Sequence, residues 1–456
     1  MENDQFPSRR KIDVIVGARI IFDDWNPSEQ YDIVLDASKI KEIIPHKPDT
    51  TTHPLDTALD ARNHLIAPSL CHAHVHLDKC FLFSDPKFAD LETIKGDFAE
   101  AMDLTSKAKE RFEREDLLRR GKWLVSESIA AGVTHMRAFV EVDHGVRFKC
   151  LDAAVELKEY FSGFCEIQIC AFAQEPIFSG PHWGVNQILM NEAAARAEVE
   201  VVGSTPYVED HYDSVYDNYF WSIKTGSDRD IHVDLHMDYH LDKSRRPVTE
   251  DVIGQAWRRK VSDKTLIVAH CTRLTQLSRQ VWEEISNSVR ASKSPLSFVG
   301  LPTSDLFMMG KPSEHEGGGE RVRGTLQIPQ MIKDYGLNGA ISINNVGNAF
   351  TPQGSCDPLS IASMGVGLYH AGTKADAQLL YECVSTRAKE VIGYPTGPSI
   401  STGPFAVGAD ADFVLFEMGD EHGPLSRQRG RRTLQEVVYD PPKERKTIFR
   451  GHLISV

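Results

Sequence analysis

The sequence predicts an α/β protein: a (β/α)8 TIM-like barrel joined to a small composite β-sandwich built from both ends of the chain. Three observations predict it. Strand-like and helix-like segments alternate through the middle of the chain, polar residues cluster where the apolar runs stop, and short β units without helices between them occupy both termini. The expected division assigns 1–66 and 403–456 to the sandwich and 67–402 to the barrel.

In chain order, residues 11–66 read as strands and turns, with strand candidates at 13–17, 19–22, 31–35 and 41–45. The run Leu65-Ile66-Ala67-Pro68 then leads into Cys71-His72-Ala73-His74-Val75-His76-Leu77-Asp78-Lys79, the first barrel strand. Leu117, Leu118, Leu124, Val125 and Ile129 recur at helical spacing after it. Further strands are expected at 134–142, 166–172, 199–204, 230–238, 265–270, 296–301 and 339–345, which makes eight with the first. Eight such units point to a barrel whose chemistry sits at the C-terminal ends of its strands. The Gly-rich stretch Glu314–Glu320 reads as a lid or a plain flexible loop. Strands at 411–416, 436–439 and 446–451 complete the sandwich.

Composition narrows the function. With 456 residues, 41% hydrophobic and 25% charged, the chain reads as an ordinary globular protein. Its N-terminus, Met1-Glu2-Asn3-Asp4-Gln5, lacks the layout of a secretory signal and no run is long enough for a bilayer span, so a cytoplasmic location is expected. A net charge of −14 argues against nucleic acid or an anionic membrane as partner. The basic stretch Arg427–Arg432, interleaved with Gln and Gly, reads as a solvated loop. Eight cysteines without a CxxC pair suggest reduced thiols rather than a disulfide framework.

The first strand carries the strongest signal. Alternation on an extended strand puts His72, His74 and His76 on one face, with Asp78 beside them. Imidazoles two residues apart can grip one divalent ion, zinc or iron, if further ligands arrive from elsewhere. His236 and His270, each ending a later strand, fit that need. Lys79 reads as an exposed loop lysine, with contact to substrate as the alternative, and Asp78 either orients a metal-bound histidine or caps the strand end.

These residues resemble the amidohydrolase superfamily of metallo-dependent hydrolases, within it the cytosine-deaminase-like branch. The resemblance rests on His74-Val75-His76-Leu77-Asp78, Ala171-Phe172-Ala173-Gln174-Glu175, His236-Met237-Asp238, Ala269-His270, Leu301-Pro302-Thr303-Ser304-Asp305-Leu306 and the terminal Val407–Phe413. It implies one divalent ion held by His74, His76 and His236, whose acidified water attacks a carbon bonded to nitrogen. It also implies that His270 steadies the attacking water or the oxyanion and that Gln174 hydrogen-bonds a ring substrate. His72 then lies behind the ligands, and a homo-oligomer becomes a plausible assembly by analogy.

Two departures alter the expectation. Where the family ends its eighth strand with an aspartate, this chain has Asn344, and an amide cannot act as general base near neutral pH. Three residues after the fifth-strand histidine, where deaminases of the branch carry a glutamate, it has Tyr239. Asp238, His240 and Asp305 are the local candidates to carry protons instead, Asp305 also being placed against the substrate. The leading expectation is therefore a metal-dependent hydrolase that opens a small cyclic amide or imide in the breakdown of nitrogen heterocycles. A deaminase with rearranged proton transfer and a catalytically silent binding protein on the same scaffold are the alternatives.

Overall fold

The computed structural model describes residues 7–47, 56–62, 64–259, 264–292, 296–309, 324–397, 403–417 and 429–456. Eight strands, Leu70–His76, Val133–Glu141, Glu166–Ala173, Val201–Ser204, His232–Met237, Leu266–His270, Leu296–Gly300 and Gly339–Ile341, pair in sequence order, every one parallel to the next. A single parallel bridge between Val75 and Asn344 joins the last strand to the first. There His76 N donates to Asn344 O at 2.8 Å, and Asn344 N donates to His74 O at 3.2 Å. Strands covered on both faces leave little of their length in contact with water. Accordingly, every residue of Val133–Glu141 is buried.

Helices separate the strands. The first long one, Arg114–Ala130, buries Leu117, Leu124, Val125 and Ile129 as the spacing predicts and leaves Leu118 half-buried. Strand ends carry the unusual backbone: Asp238, His270, Cys271 and Asn344 all have φ between 44° and 64°. Left-handed residues at these points turn the chain sharply out of the strand.

Among the described residues the second sheet has nine strands and draws on both ends of the chain: Ser8–Lys11 pairs with His452–Ser455, and Leu65–Pro68 with Phe413–Phe416. This is the small β-sandwich. Two expectations are corrected here. The candidates at 13–17 and 19–22 are one strand, Val14–Ile20, whose pairing shifts register where Gly17 takes φ +67°. Residues 436–439 are helical, within Leu434–Tyr439, because the Thr433 side chain caps the backbone N–H of Glu436 while Val437 and Val438 turn inward. The eight cysteines are buried free thiols. No described helix is long and apolar enough to cross a membrane. The proposed lid at 314–320 and part of the basic stretch 427–432 lie outside the described residues.

Candidate active site

The first strand does not alternate strictly. Its pairing with the second strand shifts register between His72 and Val75. Cys71 and Ala73 consequently pack with Ile267, Ala269 and Val299 from other strands, contacts available only inside the ring. His72, between them, faces outward, its Nε2 3.1 Å from Ser128 Oγ on the first long helix. The expectation that His72 shares a face with His74 and His76 is thus corrected: the irregularity brings those two inward and leaves His72 behind.

His74, His76 and His236 converge, each offering one ligand atom within 4.8 Å of the others. Phe139 stacks on His74 at 3.8 Å between centroids, and Phe172 lies against His236 at 4.4 Å. Burial, reinforced by the neighbouring imidazoles and by the Lys79 ammonium, holds all three histidines well below the usual imidazole pKa. They are neutral, the form that ligates metal. His74 Nδ1 and Nε2, His76 Nδ1 and His236 Nε2 are buried without a hydrogen-bond partner. Buried orphan nitrogens are costly unless something else satisfies them, and a divalent ion suits this donor set.

His270 stands beside the cluster, 4.9 Å from His236 between centroids. Its Nδ1 lies 2.8 Å from Asp305 Oδ1, and the other oxygen of Asp305 accepts from Thr325 Oγ1 at 2.8 Å. Both oxygens of Asp305, expected to meet the substrate, are engaged by His270 and Thr325. Tyr239 covers His270 at 4.0 Å, and burial raises its phenol well above its usual pKa. Asp238, expected to carry protons, instead accepts from Val248 N, Thr249 N and Thr249 Oγ1 at 3.1, 3.2 and 2.6 Å, tying down the loop that follows the fifth strand. His240 lies beyond it, its pKa lowered to about 4 chiefly by burial. Asn344 Nδ2 donates to Ser304 Oγ at 2.7 Å, while its Oδ1 is buried and unpaired.

Lys79 corrects another expectation. It is 1% exposed, with Nζ 2.5 Å from Glu141 Oε1 and 3.3 Å from Gln174 Oε1. The Gln174 Nε2 amide is buried and unpaired. Lys109 holds the other oxygen of Glu141 at 2.7 Å and also pairs with Asp143. These two ammoniums, helped by the hydrogen bonds they donate, keep Glu141 at a pKa of about 2 against the opposing effect of burial. Asp78 accepts from Glu141 N at 2.7 Å, so it supports the second strand; burial pushes its carboxyl up to about 6. Sequence reasoning missed Glu141 and Lys109. A charged residue ending an otherwise apolar strand was the available signal for Glu141. A second group, Asp143, His144 and Glu175, also lies close together, but Lys109 already supplies its cation.

Eight parallel strands in a ring, with three imidazoles meeting at their C-terminal ends, define a (β/α)8 barrel with a histidine cluster that could hold a metal ion. Solved structures share this fold. The 5-methylcytosine deaminase of Klebsiella pneumoniae, liganded with 5-fluorocytosine, superposes with a TM-score of 0.79 at 20% identity over 96% of each chain. N-isopropylammelide isopropylaminohydrolase of Burkholderia multivorans gives 0.71 at 19% identity, covering 96% of this chain and 97% of that one. An adenosine deaminase of Xanthomonas campestris with bound zinc gives 0.60 at 15%, covering 98% and 93%. Among curated sequences, N-isopropylammelide isopropyl amidohydrolase of Pseudomonas sp. (strain ADP) is 26% identical over 120 residues, which are 26% of this chain and 30% of that protein. No protein-family model matches the chain.

Proposed function

We propose that this protein is a metal-dependent hydrolase of the amidohydrolase superfamily that cleaves a carbon–nitrogen bond in a small nitrogen heterocycle, opening a cyclic amide or imide. The ion is zinc or iron, held by His74, His76 and His236; zinc is the metal bound in the Xanthomonas structure. When bound, it supplies a Lewis acid and an acidified water. The remaining chemistry falls to the chain's own residues.

His270, with Nδ1 engaged by Asp305, keeps Nε2 to accept a proton from the attacking water and return it to the departing nitrogen. The Lys79 ammonium and the free Gln174 amide donate to substrate carbonyl oxygens, where negative charge develops during attack. Tyr239 stays a neutral phenol and shields His270 from water.

The observation that carries this reading is the pairing of the histidine cluster with Asn344 and Tyr239, which leaves no carboxylate at either position. An aromatic ring must be protonated before it loses ammonia, and general acid–base assistance is worth about 10² to 10⁴-fold per group. An imide carbonyl is already electrophilic and needs less.

The test uses metal-loaded protein on two panels, cyclic imides and lactams against amino-substituted pyrimidines, purines and triazines. Ring opening is expected, abolished by chelation and by His74→Ala together with the loss of one equivalent of metal. Ammonia release with no ring opening would replace this reading by the deaminase one. That second reading has its own support in Gln174 and in the full-length likeness to the Klebsiella enzyme. It requires a proton donor near Tyr239, so unchanged ammonia release in Tyr239→Phe would remove it.

A further inference from the structure

We propose that Asp234, held by Arg137, is the positioning residue that fixes His74 in the tautomer protonated on Nδ1, leaving Nε2 for the ion. The inference rests on the reading that His74, His76 and His236 bind a metal. It concerns a charged pair inside the barrel that the proposed reaction does not use.

Asp234 lies two residues before His236 on the fifth strand, so both side chains point into the ring. Arg137 enters from the second strand. Neither Asp234 nor Arg137 has any measurable exposure. Arg137 Nε donates to Gln168 Oε1 at 2.7 Å and its Nη1 to Asp234 Oδ2 at 2.9 Å. Its Nη2 donates to Thr265 Oγ1 and Ile392 O, each at 3.2 Å. The guanidinium thereby ties the third strand, the approach to the sixth and the end of a C-terminal helix to one oxygen of Asp234.

The other oxygen is free. Asp234 Oδ1 lies 3.9 Å from His74 Nδ1, and neither atom has a hydrogen-bond partner although both are buried. Two complementary orphans that face each other at slightly more than hydrogen-bond length need only a small ring rotation to pair. Phe139, stacked on His74, leaves that in-plane motion as the available one. Histidines that ligate metals commonly donate their second N–H to a carboxylate, which sets the tautomer and strengthens the ligand. A buried ion pair is seldom retained for stability alone, since apolar residues of equal volume serve as well. Here the two members act in series, Arg137 holding Asp234 in place while the free oxygen of Asp234 accepts from Nδ1.

Asp234→Asn separates the charge from the shape. An asparagine turned with its oxygen to Arg137 offers an N–H to His74 Nδ1 and selects the opposite tautomer. Zinc affinity, measured by competition with a chelating dye, is expected to fall about 10- to 100-fold, while circular dichroism and thermal unfolding of the metal-free protein change little. Unaltered zinc affinity in folded Asp234→Asn overturns the proposal. Because that variant could fail to fold, imidazole nitrogen-15 shifts of metal-loaded wild type, assigned with His74→Gln, give an independent answer. Protonated Nδ1 with ligated Nε2 is expected, and protonated Nε2 overturns the proposal whatever the mutant does. Wild-type protein that takes up no zinc, iron or manganese would instead strike the metal reading itself, and this proposal with it.

Discussion

His270 Nδ1 and Asp305 Oδ1 are 2.8 Å apart in a setting where Asp305 has no exposed surface and its second oxygen is occupied by Thr325. An ionised carboxylate only accepts, so the imidazole donates from Nδ1. Asp305→Asn permits the other tautomer. We expect kcat to fall by about 10² or more with KM little changed. A raised KM at unchanged kcat would return Asp305 to contact with substrate.

Gln174 presents an unpaired buried amide nitrogen beside Lys79. If it binds a substrate carbonyl, Gln174→Leu leaves that carbonyl unsatisfied in a dry site, at a cost of about 1–3 kcal/mol. Steady-state kinetics should show kcat/KM lowered about 10- to 100-fold. An unchanged value would place the ring elsewhere in the mouth.

Asn344 sits at φ +59° with its side-chain oxygen unpaired and its backbone bonded to His74 and His76 along one edge of the first strand. Aspartate tolerates the same backbone conformation. Asn344→Asp should therefore fold normally and bind zinc at least about tenfold more tightly, a charged oxygen being added beside three neutral nitrogens. Chelator competition measures this. Equal affinity would mean that the side chain of residue 344 does not reach the ion.

His135 packs against Tyr394 and Phe449 between the barrel and the outer sheet, and burial, helped by Lys389 and Arg450, holds its pKa well below the usual value. A base of this kind takes up its proton more readily when unfolded. Its contribution to stability is complete above about pH 6.5 and is lost as pH falls below that value, by up to about 1.4 kcal/mol per pH unit. Urea unfolding of wild type and His135→Gln between pH 7.5 and about pH 5 should show the flatter slope in the variant. Parallel slopes would show that His135 is protonated alike in both states.

Much of the architecture was legible because barrel strands are buried on both faces and stand out as apolar runs ending in polar residues. His74, His76, His236 and His270 were each visible at such an end. The side on which His72 falls was not, since a register shift within the strand leaves no mark in composition. Lys79 was misjudged for a different reason: its surroundings, Glu141 and Gln174, come from residues far along the chain, and only the closed ring brings them together. Asp238 shows the same limit, its partners Val248 and Thr249 being set by a loop path that no periodicity encodes. In the helix Leu434–Tyr439, two adjacent valines suggested a strand, and a single threonine cap outweighed them.

The seam where the eighth strand meets the first has a consequence for assembly. The ring is zipped shut through Val75 and Asn344, immediately next to His74 and His76, while His236 arrives from the opposite wall. An ion held by these histidines would tie the first strand, one side of that seam, to the fifth strand across the ring.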